Sequence, residues 1–175
     1  TALRELTGTA VRMLDNVIDI SRYPIDQQRE EAVSKRRIGL GITGLADALI
    51  MCGVRYGSEE AVNLTKNWLR VLRDSAYRCS IDLAKEKGSF PLFVKEKFIE
   101  NHNVKKLPKD LRAGINSYGI RNALLTSIAP TGTISLLANN VSSGLEPVFA
   151  FKYNRKVLQS DGSSFIEPVS DYALA

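Results

Sequence analysis

The stretch Ile128–Asn140, IAPTGTISLLANN, joins an apolar run to a helix-forming run through Pro-Thr-Gly-Thr. Just before the proline, the residues NALLTSIA at 122–129 form an apolar run of strand length, which predicts a β-strand. After the glycine, TISLLANN at 133–140 predicts a short helix. A strand, a glycine-containing turn and a helix in succession are typical of α/β folds. We therefore predict an α/β, helix-rich chain.

The turn at residues 130–135 is suited to an anion. The first N–H groups of a helix have no partner inside it and carry a partial positive charge, which makes a helix N-terminus a place where phosphates bind. Gly132 would let an oxygen approach the backbone closely, and Thr131 and Thr133 could each donate a hydroxyl. A side chain at Gly132 would obstruct a ligand, and it would add strain if that residue has a positive φ. The residues leave open an alternative, in which Thr131 or Thr133 only caps the helix.

A second strand, glycine turn and helix are predicted in RRIGLGITGLADALI, residues 36–50. Ile38, Leu40 and Ile42 alternate with glycines, and this period of two predicts a strand at residues 37–42. Glycines on the opposite face indicate that backbone or a ligand packs closely there. The pattern becomes helical at Gly44, and Asp47 would lie at the positive end of that helix.

The remaining chain is predicted to be mostly helical. Apolar residues recur at helical spacing in segments 2–20 and 58–87. A shorter, mostly polar helix is predicted at 25–36, and in a less regular stretch two more helices are predicted, around 91–100 and at about 108–118. Ser58 is a good N-cap for the long helix and Gly88 suits the position after its last turn. Residues 141–158 are expected to form a loop and then extended chain, and Ser170 is predicted to cap a helix that has only begun at SDYALA. The absence of an initiator Met and this unfinished helix predict a fragment of a longer chain.

Composition excludes several classes of function. The chain has 175 residues and a formal charge of +5 from 24 basic and 19 acidic residues, which suits an anionic ligand. The basic residues are scattered, so we expect no direct DNA binding, and no apolar run is long enough for a bilayer. Cys52 and Cys79 are predicted to be free thiols, and with a single histidine, His102, we expect no metal site.

Three blocks of the sequence resemble the catalytic subunit of ribonucleotide reductases. They are residues 36–50 (RRIGLGITGLADALI), 82–88 (DLAKEKG) and 118–158, and they occur in the family's order. In the last block the family has a Pro-Thr-small-Ser/Thr loop, then asparagines, Glu-Pro and Tyr-x-Arg-x-Val-Leu. The matching residues are Pro130, Thr131, Gly132, Thr133, Asn139, Asn140, Glu146, Pro147, Tyr153, Arg155, Val157 and Leu158.

The resemblance implies a fold and a site. The fold would be a partial fragment of a ten-stranded α/β barrel, with residues 1–175 forming a single fragment of its later part, truncated at both ends. The family's loop holds the phosphates of the substrate ribonucleotide, a role that carries over to Pro130, Thr131, Gly132, Thr133 and Ile134. Many relatives have a threonine where this chain has Ile134, so only the N–H of that residue could serve.

The resemblance also implies an activity, which is the radical-based reduction of ribonucleotides to deoxyribonucleotides for DNA synthesis. The family's Asn-x-Cys-x-Glu segment is not found in this sequence, so we expect no catalytic residue in this fragment and an inactive isolated chain. The sequence PTGTISLLANNVSSGLEP, residues 130–147, is more similar to the adenosylcobalamin-dependent class of these reductases. The alternative is a class that uses a metal-dependent radical subunit. We expect the fragment alone to bind no cofactor.

The implied partners are a ribonucleotide di- or triphosphate, the rest of the reductase chain and possible further copies in a homo-oligomer. The implied location is cytoplasmic, with no membrane contact. Two other interpretations of the residues stay open, a stand-alone phosphate- or nucleotide-binding module without chemistry of its own, and a helical interaction domain.

Overall fold

The fold is known from a computed structural model that describes residues 2–174. In that range, helices alternate with loops until a hairpin near the end. The helices are α1 (Ala2–Ile20), α2 (Asp26–Lys35), α3 (Leu45–Met51), α4 (Glu59–Lys87), α5 (Lys95–Ile99), α6 (His102–Lys105), α7 (Lys109–Tyr118) and α8 (Gly132–Leu137). The hairpin strands are β1 (Lys152–Leu158) and β2 (Ser164–Ser170), followed by a 3-10 helix at Tyr172–Leu174.

Two compact units make up the chain. Within the described residues, the first contains residues 2–40 and 67–127, and the second contains residues 41–66 and 128–174. The candidate phosphate-binding residues all lie in the second unit.

The first unit is built around an apolar core from α1, the later part of α4, the loop before α5, α6, α7 and the segment after α7. Its buried side chains are Val11, Ala76, Ile81, Leu83, Phe90, Val104, Leu107, Leu111, Ile115, Ile120 and Leu125. Phe93 and Phe98 pack at its edge, with ring centroids 5.4 and 5.9 Å from that of Phe90. Amphipathic spacing predicted that α1 and α4 are helices, but it did not identify the buried face of α1. That face carries Thr7, Val11, Asp15 and Ile18, whereas the apolar Leu6 and Val17 are exposed.

A buried polar network lies beside this core. Asp15 and Asn122 are fully buried and Arg36 is 2% exposed. One carboxylate oxygen of Asp15 accepts hydrogen bonds from Arg36 Nε at 2.8 Å and from Asn122 Nδ2 at 2.9 Å, and the other accepts from Arg121 Nε at 3.3 Å. The Asn122 side chain also accepts from Ser80 Oγ at 2.9 Å. Asp15 therefore accepts hydrogen bonds from three side chains, of which Arg36 and Arg121 are charged.

Arg36 connects this network to the end of α2. It has a left-handed backbone, with φ 45° and ψ 49°, and its N–H donates to the carbonyl of Ala32. Its guanidinium donates to both carboxylate oxygens of the half-exposed Asp19, at 2.8 and 3.0 Å. This hydrogen bonding from Arg36 holds the pKa of Asp19 below its ordinary value.

The predictions of strands at residues 37–42 and 122–128 were wrong in extent. The two segments run side by side, with Ile38 N–H donating to the Leu124 carbonyl at 3.0 Å, but they share only one parallel bridge, Leu40 with Thr126. A strand needs a continuous ladder of partners, and within the described residues these two segments have one bridge. The close approach predicted at the glycines is present, because a Cβ on Gly39 would lie 2.7 Å from Ser127 Oγ.

The second unit contains α3, the first turns of α4, α8 and the hairpin. Ser58 caps α4 as predicted, with its Oγ accepting from the Ala61 N–H at 3.1 Å. Strands β1 and β2 pair antiparallel, from Lys152 opposite Ser170 to Leu158 opposite Ser164. Extended chain was predicted for the segment that forms β1, but no strand was predicted for the segment that forms β2. The predicted cap at Ser170 was wrong, since Asp171 accepts from the Ala173 N–H at 3.0 Å.

None of the helices between residues 2 and 174 is both long enough and apolar enough to cross a bilayer.

Candidate phosphate-binding loop

Thr131 lies at the N-cap position of α8 and gives the loop its shape. Its backbone is left-handed, with φ 58° and ψ 21°, and its side chain makes no cap hydrogen bond. Instead Thr131 Oγ1 accepts from the N–H of Gly144 at 2.7 Å and lies 3.2 Å from Ser135 Oγ. The expectation that Thr131 caps the helix was therefore wrong: its hydroxyl holds the neighbouring segment.

Gly132 begins α8 with a backbone outside the positive-φ region, so the strain expected for a side chain there is absent. A Cβ on Gly132 would meet no protein atom within 4 Å. The N–H groups of Gly132, Thr133 and Ile134 donate to no protein acceptor in the described part of the chain. The three residues are exposed. The loop thus presents consecutive unpaired N–H groups to open space, an arrangement that can accept an anion.

Pro130 and Thr133 are also exposed, and the Thr133 hydroxyl makes no hydrogen bond within residues 2–174. The side chain of Ile134 is 60% exposed. All five predicted site residues therefore lie together on one surface loop. Only the Thr131 side chain is engaged by the protein.

Gly144 is a residue of this region that sequence analysis missed. It is buried, with φ 46°, and a Cβ there would lie 2.7 Å from the carbonyl oxygen of Ala129. The segment 141–144 therefore passes against the chain just before the loop. The glycine in VSSG could have indicated a close approach of another part of the chain. No local sequence pattern could have shown that the approaching residue is Ala129, fifteen positions earlier.

The asparagines of the resembling block shape the chain after α8. Asn139 and Asn140 both have left-handed backbones, with φ 64° and 57°. Asn140 Nδ2 donates to the carbonyl of Ser170 at 2.9 Å, and its Oδ1 accepts from the hydroxyl of Tyr153 at 3.2 Å. These residues tie the exit of α8 to the hairpin, which is a structural role.

Neither cysteine lies in the candidate site. Cys52 is exposed after α3. Cys79 is half-buried on α4, with its Sγ donating to the Gly8 carbonyl at 3.3 Å, and burial raises the pKa of its thiol. A thiol with a raised pKa is a poor nucleophile at neutral pH. The described residues contain no group of three or more His, Cys, Asp or Glu side chains placed to hold a metal ion.

We expect a full-length protein carrying Cys52→Ser and Cys79→Ser to keep its turnover within about twofold, because neither thiol is placed for chemistry. Steady-state assays of the double variant would measure this, with thermal melts to check folding. A variant that melts like the wild type yet loses turnover by orders of magnitude would show that one of the thiols reacts.

Comparison with known proteins identifies the family. The family model described as the ribonucleotide reductase barrel domain matches residues 1–173. The chain therefore belongs to the ribonucleotide reductase barrel-domain family.

Similar proteins include reductases of two kinds. The vitamin B12-dependent ribonucleoside-diphosphate reductase of Mycobacterium tuberculosis is 43% identical over 156 residues, which are 89% of this chain and 20% of the relative. The protein of the same name from Thermoplasma acidophilum is 35% identical over 95% of this chain and 20% of its own length. The ribonucleoside-diphosphate reductase subunit alpha of Chlamydia muridarum is 32% identical over 91% of this chain and 17% of its own length. The chain thus spans about a fifth of the length of these relatives.

Proposed function

We propose that this chain is part of the catalytic subunit of a ribonucleotide reductase and supplies its substrate phosphate-binding loop. The loop comprises Pro130, Thr131, Gly132, Thr133 and Ile134. The observation that carries the proposal is the set of unpaired N–H groups at residues 132–134, exposed on a loop where a Cβ at Gly132 would meet only open space. The family match over residues 1–173 supports the identity of the ligand.

The backbone would do most of the binding. Hydrogen bonds from N–H groups to a charged phosphate are worth about 1.5–3 kcal/mol each. Thr131 would act indirectly, since its hydroxyl accepts from Gly144, whereas Thr133 has a free hydroxyl that could donate to the ligand. The substrate is then a ribonucleotide, and the names of the relatives favour a diphosphate over a triphosphate.

The larger fold is part of the same proposal. Residues 1–175 would form a single segment of the later part of a ten-stranded α/β barrel. The segments 38–40 and 124–127, which share one parallel bridge here, would be barrel strands completed by neighbours from the rest of the chain. Exposed apolar side chains such as Leu137 (91% exposed) and Phe149 (92% exposed) would then be covered. Assembly of further copies and a cytoplasmic location remain predictions.

The radical chemistry would come from the rest of the reductase chain. Adenosylcobalamin is the cofactor that we favour, because two of the most similar relatives carry the words vitamin B12-dependent in their names; a metal-dependent radical subunit is the alternative. His102, the one histidine in the sequence, is exposed on α6, and no acidic or thiol cluster surrounds it in the described residues. We therefore assign no residue of this chain to the cofactor.

The pure 175-residue chain should form no deoxyribonucleotide, because neither of its cysteines is placed to carry a radical. The measurement is product formation from ribonucleoside diphosphates with adenosylcobalamin and a dithiol, beside the full-length reductase as a positive control. Measurable turnover by the isolated chain would contradict the assignment of the chemistry to other segments. A full-length protein that is inactive but binds diphosphate at this loop would favour a binding module instead.

A further inference from the structure

Two buried carboxyl groups meet in the second unit. Asp47, in the first turn of α3, is 2% exposed, and Asp171, between β2 and the 3-10 helix, is 5% exposed. Asp47 Oδ2 accepts from the N–H of Ser142 at 2.7 Å. The other oxygen, Oδ1, is buried and has no hydrogen-bond partner within the described residues.

Asp171 is placed to supply the missing partner. One of its oxygens accepts from the Ala173 N–H at 3.0 Å, and the 3-10 helix that begins there packs against α3, the helix that carries Asp47. Neither Asp47 nor Asp171 forms an ion pair with a basic side chain in the described part of the chain, and the charge of Asp47 acts on Asp171. No Lys or Arg from α3, β1, β2 or the 3-10 helix compensates the pair, so two ionised carboxylates here would repel each other in a buried site.

One proton relieves this repulsion. A protonated Asp171 becomes a donor, and the unpartnered Oδ1 of Asp47 is the acceptor that it would meet. Burial above all, and then the charge of Asp47 and the hydrogen bond between the two groups, raise the pKa of Asp171 above its ordinary value. A proton on Asp171, donated to Oδ1 of Asp47, thus accounts for both the unpaired oxygen and the raised pKa of Asp171.

The pair is connected to the candidate phosphate loop by a short series of hydrogen bonds. Ser142, whose N–H is bound by Asp47, also accepts at its Oγ from the Ala46 N–H at 3.1 Å, and its carbonyl accepts from the Gly44 N–H at 2.7 Å. Two residues further along, the Gly144 N–H donates to Thr131 Oγ1 at 2.7 Å. The position of Thr131 therefore depends on a segment that Asp47 anchors.

We propose that Asp47 and Asp171 form a proton-sharing carboxyl pair that positions residues 141–144 and, through them, the phosphate-binding loop. Both are positioning residues, since they act through Ser142 and Gly144. The inference rests on the proposed function of the loop.

The sign of the pH dependence follows from the shared proton. A carboxyl whose pKa is raised in the folded state stabilises that state at pH values below its ordinary pKa, and this contribution is lost as the pH rises through the raised pKa. Above that value Asp171 is ionised and no longer donates a proton to Oδ1 of Asp47, so segment 141–144 is held less firmly. Substrate affinity should therefore fall as the pH rises.

The proton itself can be observed in the full-length reductase by pH-difference infrared spectroscopy, which detects the C=O stretch of a protonated carboxyl. We expect a band that persists above the ordinary aspartate pKa of about 3.9, is missing in Asp171→Asn and titrates at lower pH in Asp47→Asn. Glu167→Gln, an exposed acid on β2, is the matched control and should leave the band unchanged. An Asp171 carboxyl that ionises at its ordinary pKa would overturn the proposal.

The positioning role is tested by the dissociation constant of a ribonucleoside diphosphate as a function of pH. In Asp171→Asn a permanent amide donor replaces the proton, so the ratio of wild-type to variant dissociation constants cancels the titration of the ligand. Above the pKa of Asp171, the fraction of protein with this carboxyl protonated falls about tenfold per pH unit. If only that fraction binds, the ratio should rise by up to about tenfold per pH unit. A ratio that is flat with pH would overturn the positioning role.

Failure of the proposed function would be visible separately. If Gly132→Val leaves diphosphate affinity unchanged, the loop does not bind phosphate and its positioning by the pair is overturned. The infrared test of the shared proton does not depend on that result.

Discussion

Replacing Asp15 by alanine should destabilise the first unit by about 1–3 kcal/mol, the usual cost of leaving a buried hydrogen-bonding group without its partner, because Arg36 keeps its ion pair with Asp19. Arg36, 2% exposed, would lose the carboxylate that accepts from its Nε, and the fully buried Asn122 would lose an acceptor at 2.9 Å. Hydrogen exchange of the full-length protein would measure the effect as a lower opening free energy for amides of α1 and of residues 120–125.

Two further variants make this measurement specific. Glu86→Gln breaks the exposed ion pair in which Glu86 accepts from Arg12 at 2.7 Å, and it should change exchange much less, since exposed pairs contribute little. Asp15→Asn keeps an acceptor for Arg36 and should fall between the two. Equal exchange in Asp15→Ala and Glu86→Gln would mean that the buried network does not stabilise this unit.

Gly132→Val should weaken the binding of a ribonucleoside diphosphate by about 10- to 150-fold, which corresponds to the loss of one charged hydrogen bond of about 1.5–3 kcal/mol. The new side chain would occupy the space where we place the phosphate. Because a Cβ there meets no protein atom within 4 Å, folding stability should hardly change. Equilibrium binding and thermal melts of the full-length protein would therefore separate the ligand effect from any folding effect.

Thr133→Ala is the matched control for this loop, since it removes an exposed hydroxyl without touching the backbone. It should cost less affinity than Gly132→Val. Thr131→Ala is a poorer control, because it also leaves the buried N–H of Gly144 without its acceptor, a loss of about 1–3 kcal/mol. If Gly132→Val binds like the wild type while Thr133→Ala abolishes binding, the loop does not bind phosphate through its backbone.

The helices could be predicted because their signals are local. The apolar stripe of α1 and the cap at Ser58 depend on residues within a turn or two of each other. Strands depend on partners that are distant in sequence: Ile38 pairs with Leu124, and glycine alternation predicted a strand at residues 37–42 where the described chain offers one bridge. The network of Asp15, Arg36 and Asn122 was missed for the same reason.

Sequence singled out a candidate site whose role in binding phosphate stays a prediction, and the geometry of this loop could not be predicted. A strand, a glycine turn and a helix indicated residues 130–135, and the five residues do lie together on a surface loop. Sequence left open a positive φ at Gly132, but the left-handed residue is Thr131. Its hydroxyl is held by Gly144, thirteen residues away, and this contact can compensate a conformation that a threonine rarely adopts.

A crystal structure of the full-length reductase with a bound ribonucleoside diphosphate would test the central claim most directly. The account predicts phosphate oxygens about 2.7–3.2 Å from the backbone nitrogens of at least two of Gly132, Thr133 and Ile134. A diphosphate bound in the same protein with its phosphates away from residues 130–134 would contradict it.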